Sequence, residues 1–246
     1  MTAWIWDWVM RLSVKMEGNA DAISDTEFDI GLHTQIQTQG IAAMSDAYVG
    51  TSHGLVAGTH VASSLGWRAV DAIAVGDEVL TFDNAMQPVV EIRRDVKWRD
   101  FATIPESRWP VTIPAGVLGN RRDLTVLHEQ GILVESNAAN DPLGDPFAVV
   151  PAMALDGSRG IQRVAPQHQV EAVTLFFEQD QVIYIEGGTL AYCPHPGDLV
   201  SDDLEQSPRI YDVLSMHDSA FLVECMVEED KVDLQSEWST LAPAEA

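Results

Sequence analysis

Basic side chains are scarce in this chain. Its 246 residues hold 14 Lys and Arg against 38 Asp and Glu, a formal net charge of −24. A surface of that sign repels phosphate backbones and anionic lipid, so nucleic acid is set aside as a partner. Cysteine is scarcer still, with only Cys193 and Cys225. Two cysteines are too few for a disulfide scaffold and lack zinc-site spacing. One bridge between them is open, but two ordinary buried thiols are the simpler expectation. No apolar run reaches the length of a membrane span, so membrane insertion is not expected. The opening Met1-Thr2-Ala3-Trp4-Ile5-Trp6-Asp7-Trp8-Val9 is apolar but has no basic lead-in of the Sec kind, and Asp7 and Arg11 interrupt it.

Hydrophobic residues are plentiful, at 46% with 7 Trp. That composition supports a sizeable core in one large domain or two small ones. Residues 1–53 read as an appendage and linker. Trp4, Ile5, Trp8, Val9 and Leu12 recur at helical spacing, while Trp4, Trp6 and Trp8 also alternate as in a strand. Three tryptophans this close predict a docking segment, against the chain's own body, a second copy or another protein.

From residue 54 short apolar segments alternate with turn residues. The pattern predicts strands at His60–Ser63, Glu78–Phe82, Gln87–Ile92, Trp109–Ile113, Leu124–Val126, Gly131–Val134, Val170–Phe177 and Val182–Glu186. Closely spaced short strands predict an all-β domain over 54–192. Residues 193–246 read as an acidic extension, partly β. Ile210–Met216 and Phe221–Val227 are its candidate strands, and Trp238–Ala246 its loose tail.

Several blocks then follow in a distinctive order. They are Gly54-Leu55-Val56-Ala57-Gly58-Thr59, then Gly76-Asp77-Glu78-Val79-Leu80-Thr81, then Pro114–Leu124, Val149-Val150-Pro151-Ala152 and Val182–Gly187. Together they resemble bacterial Hint (hedgehog/intein) domains over about residues 54–192. The resemblance implies a Hint-like fold of many short strands, with a short N-terminal helical or extended appendage. It also implies a self-cleaving chemistry. In this family a Cys, Ser or Thr opening the first block attacks the preceding carbonyl, and a Thr/Ser-x-x-His in the second block assists.

The positions matching that chemistry hold other residues. Gly54 stands where the nucleophile would be and has no side chain to attack with. Leu127 stands at the hydroxyl position, and Gln130 stands at the His position. Gln130 cannot exchange a proton near neutral pH, although its amide can hydrogen-bond. Thr174 corresponds to a late-strand His of many relatives. A nucleophile and its base act as a unit, so losing both predicts no processing. The favoured expectation is an inactive Hint domain serving as a binding or structural module, with protein partners that include copies of itself. The resemblance implies a secreted or phage-like, extracellular or particle-associated setting. The alternative is residual self-processing (autoproteolysis) by Thr51 or Ser52 with Thr125 and His128, because Thr125-Val126-Leu127-His128 also spells Thr-x-x-His. The seven histidines show no metal-site spacing, so no metal or cofactor is expected.

Overall fold

A computed structural model describes residues 53–139, 145–196 and 209–232, together with the backbone alone at 233–241. All belong to the second of the chain's two compact units, residues 49–246. Trp4, Trp6, Trp8, Thr51 and Ser52 lie outside the described residues.

Among the described residues fourteen short strands carry the fold: β1 (Leu55–Val56), β2 (His60–Ser63), β3 (Gly66–Ala69), β4 (Glu78–Leu80), β5 (Met86–Pro88), β6 (Glu91–Lys97), β7 (Val111–Ile113), β8 (Leu124–Val126), β9 (Gly131–Glu135), β10 (Phe147–Pro151), β11 (Gln162–Arg163), β12 (Val170–Phe176), β13 (Gln181–Ile185) and β14 (Thr189–Cys193). They form two sheets. One runs β11-β7-β8-β1-β12-β6, and the other runs β10-β9-β14-β13-β2-β4-β5 with β3 on β2. The named strands pair antiparallel throughout. The strand segments expected over 54–192 are present, some trimmed at the ends, except that Gln87–Ile92 divides between β5 and β6, with Val89 and Val90 in neither. The turns follow local chemistry. Gly58 and Gly76 take positive φ (+88° and +91°), and the Ser63 hydroxyl donates to the Gly66 carbonyl across the β2–β3 turn at 2.7 Å.

One apolar core draws on both sheets. Val61, Val111, Ile113, Val126, Ile132, Val173, Ile183 and Ile185 are all excluded from solvent and belong to a single cluster. Burying each such side chain contributes roughly 1.5–3 kcal/mol. β1 is short but central, with Leu55 pairing with Val126 on one side and Val173 on the other. The chain therefore enters the body between β8 and β12.

The C-terminal region departs from the sequence expectation. Phe221–Val227 is not a strand but part of a helix, Met216–Leu241, which also takes in Trp238–Leu241 of the expected tail. Ile210–Met216 makes only an isolated parallel bridge, Val213 to Val149. The reason is periodicity. Ser219, Leu222, Val223 and Met226 are buried, while Phe221, Glu224 and Glu228 face solvent, which is the spacing of one helical face. Ser215 caps the helix. Its hydroxyl accepts the Asp218 N–H at 3.2 Å and donates to the Asp218 carboxylate at 2.7 Å. Leu222, Val223 and Met226 join the same core as the strands, and Arg159 clamps Asp230 with two 2.6 Å hydrogen bonds.

Candidate functional site

The Leu55 register places the peptide unit between His53 and Gly54 at the seam of β8 and β12. Two side chains hold it. The Thr174 hydroxyl, on β12, donates to the His53 carbonyl at 3.0 Å. The Gln130 Oε1, on the turn after β8, accepts the Gly54 N–H at 2.9 Å. The same Gln130 amide donates through Nε2 to the carbonyls of Gly131 (3.0 Å) and Tyr192 (2.8 Å). Each partner fixes the amide's orientation, since an N–H must meet Oε1 and a carbonyl must meet Nε2. Gln130 is 1% exposed, and burial without these partners would be costly.

Gly54 is fitted to its place by more than size. Its φ is +135°, in the region side-chain-bearing residues rarely adopt. A Cβ built there would lie 2.8 Å from the Thr174 hydroxyl oxygen, closer than real Cβ contacts come. Thr174 and a side chain at position 54 therefore compete for one space.

The other expected positions sort around this junction. Leu127 is buried in the turn and carries no hydroxyl. Thr125 pairs with Thr112 in the β7–β8 ladder. His128 lies in the turn, its carbonyl accepting the Met153 N–H at 2.8 Å and its Nε2 lying 3.7 Å from Glu129 Oε1. Burial holds the His128 imidazole below its ordinary value, with Glu129 opposing and Arg108 and Lys97 reinforcing that shift. His53, which the sequence reading placed in the linker, is held below its ordinary value by burial, with Glu129 opposing and His128 reinforcing. The structure thus brings His53, Glu129 and His128 into one electrostatic neighbourhood beside the junction. Among the described residues, no group of three or more His, Cys, Asp or Glu could hold a metal ion.

A second polar cluster lies at the end of β13. Glu186 has φ +44° and is 7% exposed. Its carboxylate accepts the His60 N–H (2.7 Å) and the Arg122 guanidinium (2.9 Å), and His60 Nδ1 lies 3.1 Å away. In the sequence Glu186-Gly187 carries only the family resemblance. The carboxylate's role as a tie between β2 and β13 depends on β2–β13 pairing and has no local signature.

A family model described as the Hint domain matches residues 53–191. This chain belongs to the Hint domain family. The match runs from the first block at Gly54 into β14, so both the junction and the Glu186 cluster fall within the Hint domain. Similar solved structures include an AceL NrdHF class 3 split intein, 17% identical over 58% of this chain and 97% of that chain, with a TM-score of 0.36. A bacterial intein-like domain from Clostridium thermocellum is 12% identical over 57% of this chain and 98% of that chain, with a TM-score of 0.38. No curated protein matches. No helix among the described residues is long and apolar enough to cross a membrane.

Proposed function

We propose that this Hint domain is non-catalytic and serves as a binding or structural module in a protein assembly. The carrying observation is the interlock at the junction: Gly54 at φ +135°, with the Thr174 hydroxyl against the place a Cβ would take. A nucleophile at that position would need both the backbone and Thr174 to move. Gln130, fully engaged with one N–H and two carbonyls, holds the peptide bond without a group that could exchange a proton with it. In this reading the bond that active relatives would break is a staple joining the segment before Gly54 to the β-body.

The test is the intact mass of the purified full-length chain after prolonged incubation with and without a thiol nucleophile. A single species at 26.9 kDa is expected. The competing reading is autoproteolysis by Thr51 or Ser52 with His128, which lies on the same turn as Gln130, two residues before it. A fragment starting near residue 51 or 52, lost in His128→Ala, would establish that reading and sink the proposal.

The binding part concerns residues 1–16 with Trp4, Trp6 and Trp8, in a secreted or particle-associated setting suited to an acidic surface. Deleting residues 1–16 should lower the mass of the assembly seen by light scattering while residues 54–192 stay folded. An unchanged mass overturns this docking role.

A further inference from the structure

Three charged or titratable groups meet at the end of β13, and one atom there has two competing partners. His60 Nδ1 lies 3.1 Å from Glu186 Oε1 and 2.7 Å from Arg122 Nη2. A carboxylate only accepts hydrogen bonds, and a guanidinium only donates them. Toward Glu186 the ring nitrogen must carry a proton. Toward Arg122 it must offer its lone pair. It cannot do both, so the protonation state of His60 decides which partner it keeps. Arg122 Nη2 also donates to Glu186 Oε2 at 2.9 Å, and its two hydrogens suffice for both acceptors.

We propose that His60 is a proton-operated selector for Arg122: the neutral imidazole clasps the guanidinium against Glu186, whereas the imidazolium takes Glu186 for itself and turns Arg122 out to solvent. The selector sits where β2 meets β13 and does not depend on the junction at Gly54.

The backbone decides which partner leaves. His60 is locked to Glu186 in both directions, its N–H on Oε1 at 2.7 Å and its carbonyl on the Glu186 N–H at 2.9 Å. The Arg122 guanidinium ends a long stem, and that side chain is 64% exposed, against 36% for His60 and 8% for Glu186. The loop beneath it is held by other groups. Asn120 Nδ2 donates to the carbonyls of Ile113, Pro114 and Arg122, and the Thr189 hydroxyl donates to the Leu118 carbonyl at 3.0 Å. Arg122 can therefore swing while its loop stays in place. Glu186 faces the imidazole from the end of β13 and Arg122 faces it from the loop, while β3 sets the uncharged Ala69 opposite His60. Protonation leaves one carboxylate to two cations, and the exposed guanidinium is the one that water can take.

The direction follows from linkage. The clasped form is the neutral imidazole, so the clasp is present above the range in which histidines titrate and is lost as pH falls through it. Burial pushes the Glu186 carboxyl up, but its hydrogen bonds from His60 and Arg122 hold it below its ordinary value, so it stays ionised through that window.

Side-chain NMR of the full chain, with nitrogen-15 in arginine and histidine, tests the selector at about pH 8 and about pH 5. The Arg122 Nε order parameter should drop from rigid values to below about 0.6 at the lower pH. At the higher pH the His60 proton should sit on Nε2, leaving the lone pair on Nδ1. His60→Asn should leave Arg122 equally ordered at both pH values. Arg122→Ala removes the donor that competes for Nδ1, so its His60 should bind a proton several-fold more tightly. Equal order of Arg122 at both pH values in the parent overturns the selector. So does a drop that persists in His60→Asn, or a neutral His60 protonated on Nδ1. If His60→Asn does not fold, the exposed substitution Arg122→Ala decides: a His60 that binds its proton no more tightly than in the parent overturns the proposal.

Discussion

Gln130 Oε1 and the Gly54 amide meet at 2.9 Å across 76 positions of sequence. One side chain thereby links β1, the turn after β8 and, through the Tyr192 carbonyl, β14. These strands belong to different sheets, so the amide ties the two sheets together at the point where the chain enters the body. The Gln130 amide supplies a crosslink with two donors and an acceptor, all engaged.

Placing a side chain with a nucleophile at position 54 should therefore damage the fold. Gly54→Cys forces a side chain onto φ +135° and against Thr174. Backbone strain of that kind costs about 1–3 kcal/mol. Gly54→Ala should cost nearly as much, and adding Thr174→Ala should recover part of the loss, because the two positions share one space. Urea unfolding of the three variants measures this. A Gly54→Cys protein as stable as the parent would show that the interlock does not hold.

Gln130→Leu keeps most of the volume and removes every polar atom. It leaves the Gly54 N–H and the carbonyls of Gly131 and Tyr192 to find other partners in a buried place. An unsatisfied buried group costs about 1–3 kcal/mol, so a loss of about 3 kcal/mol or more is expected in denaturant unfolding. A loss well under 1 kcal/mol would mean that water or backbone shifts replace the amide.

Much of this was legible in the sequence, and the remainder fails for identifiable reasons. β2, β12 and β13 show as β-branched runs between turn residues, and Gly54 and Gln130 were singled out by the resemblance, which implies other side chains there. β3 was hidden by Leu65-Gly66, which reads as a break although the strand begins within it. The helix Met216–Leu241 was hidden by Phe221-Leu222-Val223, an apolar run that fits a strand over a few residues. Its true signals were at hand: Ser215 and Asp218 in capping spacing, then no Gly or Pro through Leu241. The contact of Thr174 with the His53 carbonyl could not be read locally, because it exists only through the pairing of Leu55 with Val173.

Glu186 should matter far more than the arginine it binds. Arg122 is 64% exposed at its side chain, so Arg122→Ala is expected to cost under about 1 kcal/mol. Glu186→Ala strands the His60 N–H and keeps the unfavourable φ of +44°. Glu186→Gly loses the same bonds but relieves the backbone, and should be the milder variant by about 1 kcal/mol. Burial pushes the Glu186 carboxyl up, but hydrogen bonds from His60 and Arg122 and the charge of Arg122 outweigh it and hold the group below its ordinary value. Its contribution is therefore present above the ordinary carboxylate range and is lost as pH falls through and below that range. Acid unfolding of Glu186→Gln should show a weaker pH dependence in that window than the parent does. An identical acid limb would remove Glu186 from the account.

The two thiols should separate cleanly by reactivity. Both are free. Cys193 closes β14 inside the core, and burial pushes its thiol up to about 12. Cys225 lies on the helix at intermediate exposure, raised first by burial and then by Glu229 and Glu224. The thiolate is the reactive form, so near pH 8 the native protein should take up alkylating reagent slowly at Cys225 and not at Cys193. Adduct counting by mass spectrometry should find at most one label on the folded chain and two in denaturant. The rate at which the second label appears in water then reports how often the β14 edge of the core opens. Rapid double labelling without denaturant would mean that Cys193 is not sealed, and that β14, to which Gln130 is fastened, opens more readily than a two-sheet crosslink allows.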